Sequence, residues 1–110
     1  MEQALLVLTN LADMASARLL AQALVEQRLA ACVNMLPAVQ SIYRWNDVIE
    51  EAAEVTLLIK TTTARYEELE QAIRALHPYE LPEVIAVPVS AGSSAYLGWI
   101  AQETRKGIDV

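Results

Sequence analysis

Apolar positions along the chain fall into two kinds of pattern, continuous runs and helical stripes. Residues 4–9 are apolar with no polar alternation, as in a strand covered on both faces. Asn10 and Asp13 follow as candidate helix caps. Ala17, Leu20, Ala21 and Leu24 then repeat at i, i+3, i+4 and i+7, while Arg18, Gln22 and Glu26 fall off that stripe. A second strand is predicted over residues 31–43, with Val33, Met35, Val39 and Tyr43 on one face if alternation holds. Pro37 interrupts it and predicts a bulge or an edge position, because proline cannot donate to a ladder. Asn46-Asp47 supplies turn chemistry. The chain then returns through Val48, an acidic stretch over residues 50–54, and a third apolar strand over residues 55–61.

Thr61, Thr62 and Thr63 form a polar junction, one of them expected to cap a second helix. That helix buries Tyr66, Leu69, Ile73 and Leu76, carries a Glu70–Arg74 pair, and stops at His77 because Pro78 disfavours a helical predecessor. Residues 84–89 read as a fourth strand. Gly92, Ser93 and Ser94 lead into a short helix facing inward through Leu97, Ile100, Ala101 and Thr104. The order β-α-β-β-α-β plus a C-terminal helix predicts an α+β, ferredoxin-like antiparallel sheet with helices on one face. Residues 1–110 are expected to form one domain.

The central hairpin is too long for that fold. Thirteen strand residues, 31–43, extend roughly 43 Å at strand rise. A first helix over residues 13–28 spans only about 24 Å. The tip carries Ile42, Tyr43 and Trp45, large residues that are costly to leave in water. The hairpin either folds back over its own sheet or is covered by a neighbouring subunit, and composition favours the second. The chain is 55% hydrophobic and only 20% charged over 110 residues, more apolar surface than so small a domain can bury. Tyr43 and Trp45 are therefore expected at a subunit interface.

The formal charge of −6, with no basic cluster, argues against a nucleic-acid partner. A single cysteine, Cys32, fits a reducing compartment. No positively flanked leader and no run long enough to span a bilayer is read, so the expected location is cytoplasmic, away from membranes.

The inventory for catalysis is thin. No nucleophile elbow, phosphate loop or zinc-protease motif is present, and no enzyme activity is expected. His77, the only histidine, is a candidate copper or zinc ligand, or else a loop residue that ends its helix. Cys32 is the only thiolate candidate, or else a small buried hydrophobe. One histidine and one cysteine per chain fall short of the four ligands of a structural zinc site. Copper or another divalent cation, if bound, is thus not required for folding. Glu50, Glu51 and Glu54 could attract hard cations or form a solvated face.

The segments Arg28-Leu-Ala-Ala-Cys-Val-Asn34, Ser41-Ile-Tyr-Arg-Trp45, Leu58-Ile-Lys-Thr-Thr62, His77-Pro-Tyr-Glu-Leu-Pro-Glu83 and Tyr96-Leu-Gly-Trp99 resemble, in order and spacing, the signature segments of the CutA (divalent-cation tolerance) family. The resemblance runs from about Leu5 to Arg105. It implies a ferredoxin-like protomer in a homotrimer, similar in assembly to PII signalling proteins, whose long hairpins pair with neighbouring subunits' strands. It also implies a role in tolerance of divalent metal ions such as copper. Lys60, Tyr79, Glu80 and Glu83 match family positions near an inter-subunit cleft, with Pro78 and Pro82 fixing the loop. Thr9 and Leu76 stand where some members carry a thiol and a second histidine. Two functions stay open: metal binding in cation tolerance, or a PII-like scaffold that takes a small metabolite or protein partner in its clefts.

Overall fold

The seven predicted elements follow in the predicted order, with an unpredicted 3₁₀ turn before the second helix: β1 (Ala4–Leu11), α1 (Met14–Glu26), β2 (Cys32–Trp45), β3 (Val48–Thr62), the 3₁₀ turn (Thr63–Arg65), α2 (Tyr66–Leu76), β4 (Ile85–Pro88) and α3 (Ser94–Glu103). They are taken from a computed structural model that describes residues 2–106. The four strands form one antiparallel sheet in the order β2-β3-β1-β4. β1 is central, pairing with β3 from Ala4↔Thr62 to Leu11↔Val55 and with β4 from Leu5↔Pro88 to Leu8↔Ile85. Helices cover only one face of β1, so the expectation of a strand covered on both faces is not met within the protomer: Leu6 and Leu8 lie half-buried on the open face. Among the described residues no helix is long and apolar enough to cross a membrane.

Leu5, Val7 and Leu11 point from β1 toward the helices, together with Val55, Leu57 and Ile59 of β3. They meet Ala17, Leu20 and Leu24 of α1 and Leu69 and Ile73 of α2. The predicted α1 stripe is buried in full. Truncating any of the fully buried Leu24, Leu57, Leu69 or Ile73 to alanine is expected to cost about 2–5 kcal/mol. α3 adds Ile100 as its buried residue, with Leu97 and Ala101 half-buried, and Thr104, which caps its C-terminus, is buried as well.

Several local expectations are corrected. Asp13 alone caps α1, its carboxylate accepting from the Ser16 amide at 2.7 Å, whereas Asn10 stays inside β1. None of the threonines caps α2, because the 3₁₀ turn intervenes and Arg65 becomes the residue before the helix. Thr61 instead donates to the Leu29 carbonyl at 2.7 Å, and Thr63 to the Glu2 carboxylate at 2.9 Å. Leu76, expected in the core, is exposed: it is the last residue of α2, beyond the buried pair Leu69 and Ile73. Arg74 does approach Glu70, at 3.7 Å.

The bulge at Pro37 is present, and it re-aims half the strand. Pairing passes from Leu36↔Thr56 to Val39↔Glu54, so Pro37 and Ala38 together oppose Val55, with Ala38 at φ 60°. One extra residue inverts the faces beyond it. Val33 and Met35 lie opposite Ile59 and Leu57 on the helix side, but Val39 and Tyr43 lie opposite Glu54 and Glu50 on the other side. The expectation that all four share a face is therefore wrong from Val39 onward.

β1 covers β3 only from Val55, so residues 39–45 and 48–54 continue as a bare two-stranded ribbon. Asn46 and Asp47, at φ 50° and 65°, close it in the left-handed conformation that a two-residue hairpin turn needs. The ribbon stretches the molecule to 47 × 30 × 22 Å.

Candidate functional site

Where ribbon meets sheet, a cleft of about 720 Å³ opens on the side away from the helices. Ser41, Tyr43 and Trp45 of β2 and Glu50 and Glu54 of β3 form one wall; Asn10 at the end of β1 and the loop carrying Tyr79, Glu80, Leu81 and Glu83 form the other. Glu54 is the last residue of β3 before β1 begins to cover it, and it is 8% exposed.

His77 anchors the loop. It leaves the helical conformation at φ −77° and ψ 133°, as the following proline requires. Its imidazole is buried, with Nδ1 accepting from the Tyr79 amide at 3.1 Å and Nε2 2.7 Å from the Asn10 carbonyl oxygen. The two bonds assign the proton to Nε2, which donates to Asn10. The Tyr79 ring lies against the imidazole, centroids 4.6 Å apart. The Tyr79 hydroxyl donates to Glu54 Oε2 at 2.8 Å. Burial first, and the Glu54 carboxylate second, push that hydroxyl well above the ordinary phenol range. Asn10 completes the anchoring: its Nδ2 donates to Glu83 Oε1 at 3.0 Å, and its Oδ1 accepts from Thr56 Oγ1 at 2.6 Å.

Of the residues singled out from the sequence, Tyr43, Trp45, Tyr79, Glu80 and Glu83 therefore come together. Lys60 does not line this cleft. It lies opposite Cys32 in the sheet, its Nζ bonded to Asn34 Oδ1 and 3.8 Å from the Cys32 sulfur. Cys32 and His77 are also separated. Cys32 sits at the register of Leu6, and His77 against Asn10, four residues further along β1 or roughly 13 Å at strand rise. Among the described residues, no group of three or more His, Cys, Asp or Glu side chains is arranged to hold a metal ion. Sequence reasoning missed Asn10, read as a helix cap, and the structural part of Glu54, read as one of a charge run.

The model of the CutA1 divalent ion tolerance protein family matches residues 5–103. The divalent-cation tolerance protein CutA of Thermus thermophilus is 49% identical over 88 residues, 80% of this chain and 85% of that protein. Human protein CutA is 47% identical over 93 residues, 84% of this chain but 52% of the human protein, so this chain spans about half the length of that relative. The solved structure of the Thermus thermophilus divalent cation tolerance protein superposes with a TM-score of 0.90 at 45% identity, covering 96% of this chain and 100% of that one. None of these descriptions carries an enzymatic activity. The chain belongs to the CutA1 divalent ion tolerance protein family.

Proposed function

We propose that the protein serves divalent-cation tolerance as a cytoplasmic homotrimer that binds copper at sites shared between chains. One observation carries the assembly, the uncovered face of the sheet. Leu6, Leu8 and Leu58 lie on the side away from the helices, half-buried, next to the exposed Ile85 and Val87 of β4. Beyond them the ribbon presents Ile42, Val48 and Ile49 to solvent. Apolar surface this continuous marks an interaction site, and burying each large side chain is worth about 1.5–3 kcal/mol. A two-stranded ribbon is marginal by itself, and β4, four residues long, is a free sheet edge with which a neighbour's ribbon can pair.

Imidazole and thiol are the soft ligands copper favours, and His77 and Cys32 are the chain's candidates. Their separation within a protomer means that neither can complete a site with the other, so remaining ligands come from a second chain or from solvent. Copper at His77 must take Nδ1 from the Tyr79 amide, which keeps the affinity modest. Calorimetric titration of copper into the wild type, His77→Ala and Cys32→Ser tests this. Binding weakened in at least one variant is expected. Binding unchanged in both would move the ligands to carboxylates, and no binding by the wild type would remove copper from the account.

A second reading is favoured by the cleft itself. Its volume falls within the range of small-molecule sites, and a hydrogen-bonded loop bracketed by Pro78 and Pro82 forms one wall. On this reading the trimer is a scaffold that binds a metabolite or partner at inter-subunit clefts, with Tyr79, Glu80 and Glu83 as contacts and Lys60 contributed from elsewhere in the assembly.

A further inference from the structure

The His77 imidazole is held so that metal binding and loop closure compete for one atom. Both ring nitrogens are engaged: Nε2 donates to the Asn10 carbonyl at 2.7 Å, and Nδ1 accepts from the Tyr79 amide at 3.1 Å. The first bond is the arrangement that metal-ligating histidines commonly use, one nitrogen donating to a backbone carbonyl while the other keeps its lone pair. The imidazole therefore fits copper through Nδ1 as a single ligand, although no group of three or more candidate ligands among the described residues completes a closed site. That lone pair has room for one partner only. With Nδ1 given to a metal, the Tyr79 N–H loses its acceptor. Nε2 is no freer, because it carries the hydrogen bonded to Asn10.

The Tyr79 amide is one of few ties that close residues 77–83 on the sheet. The Tyr79 ring lies against the same imidazole at 4.6 Å, its hydroxyl donates to Glu54 at 2.8 Å, and Asn10 Nδ2 donates to Glu83 at 3.0 Å. Little else fastens the segment: residues 77–84 belong to no helix or strand, and Pro78, Glu80 and Leu81 are exposed. Each neutral hydrogen bond is worth only a several-fold change in an equilibrium constant, so such a segment opens far more readily than the core beneath it. All of these ties lie within one chain, and the competition therefore holds in the trimer as in the protomer. Resting on the copper reading above, we infer that copper at His77 and closure of the 77–83 loop exclude one another, so that copper binding releases the loop from Asn10 and Glu54. His77 then converts metal binding into a change of shape, and the coupling is reciprocal: whatever loosens the loop tightens copper.

Hydrogen exchange read by mass spectrometry on the full chain, with and without copper, follows the loop directly. Copper is expected to speed exchange over residues 79–84 about tenfold or more while α1 and β1 keep their protection, and His77→Ala is expected to abolish the effect. Calorimetry supplies the reciprocal arm. Tyr79→Phe keeps the ring and removes the bond to Glu54; Asn10→Ala removes the bond to Glu83 and keeps the Asn10 carbonyl for His77. Each variant is expected to bind copper about two- to tenfold more tightly than the wild type, because closure competes less. Should His77→Ala or Asn10→Ala fail to fold, Tyr79→Phe carries the test. Copper bound with loop exchange unchanged, or with equal affinity in wild type and Tyr79→Phe, would overturn the inference and leave the copper reading standing. Weaker binding in Tyr79→Phe would make the phenol a ligand and overturn it as well. No copper binding by the wild type would remove both.

Discussion

Two buried threonines on the helix-facing side of the sheet should respond to the same substitution with opposite signs. Thr9 of β1 and Thr61 of β3 are both 0% exposed. The Thr61 hydroxyl donates to the Leu29 carbonyl at 2.7 Å, while the Thr9 hydroxyl is buried with no partner among the described residues. Valine has nearly the same shape, the same β-branching and similar strand preference, so the hydroxyl is essentially what changes. In Thr9→Val an unsatisfied polar group, costing about 1–3 kcal/mol, gives way to a methyl worth about 0.8 kcal/mol when buried. A net stabilisation of about 1–3 kcal/mol is expected. In Thr61→Val the lost bond leaves the Leu29 carbonyl unpaired on a buried residue, and a loss of about 1–2 kcal/mol is expected after the methyl's gain. Denaturant melts of the wild type and both variants, at one fixed protomer concentration, measure the pair. Equal shifts of the same sign would refute the reasoning, since burial and shape are matched and only the partner differs.

Three further expectations follow from the site and the ribbon. The raised Tyr79 hydroxyl contributes stability that is fully present below the free phenol value of about 10 and is lost as the pH rises above it. Alkaline melts from pH 8 to 12 should therefore fall more steeply in the wild type than in Tyr79→Phe; parallel curves would deny the shift. Trp45→Glu adds a charge to a ribbon that already carries Glu50 and Glu54, and is expected to weaken assembly on dilution; unchanged mass would mean the ring faces solvent in the oligomer. Dialysis against a chelator is expected to leave far-UV circular dichroism and melting temperature unchanged, because the core is closed by Leu, Ile and Val side chains; collapse on chelation would reveal a structural metal.

The elements were legible because their periods are clean. The α1 stripe of Ala17, Leu20, Ala21 and Leu24 is a helix in any context, and β1 reads as covered because nothing polar interrupts it before Thr9. What the pattern could not carry was register. Pro37 announced a bulge, but whether one residue or none is added decides which face Val39 and Tyr43 occupy, and that depends on how they pair with Glu54 and Glu50 across the hairpin. The same dependence hid the site's floor. Glu54 belongs to an acidic run that looks solvated, and it is buried because it sits where β1 ends on β3 and the Tyr79 loop closes over it. Asn10 has cap chemistry, and only the arrival of Thr56, Glu83 and His77 around it makes it a strand residue that anchors a loop. That Tyr79, Glu80 and Glu83 share one loop could be read from the proline-bracketed segment, whereas Lys60 faces Cys32 across a strand pair that places it away from that loop.

In the proposed assembly two further copies of the chain cover the open sheet face and the ribbon. Light scattering coupled to size exclusion, at micromolar protein and moderate salt, tests it most directly. A single species of three times the 12.1 kDa chain is predicted, persisting on tenfold dilution. A stable folded species with the mass of one or two chains would contradict it.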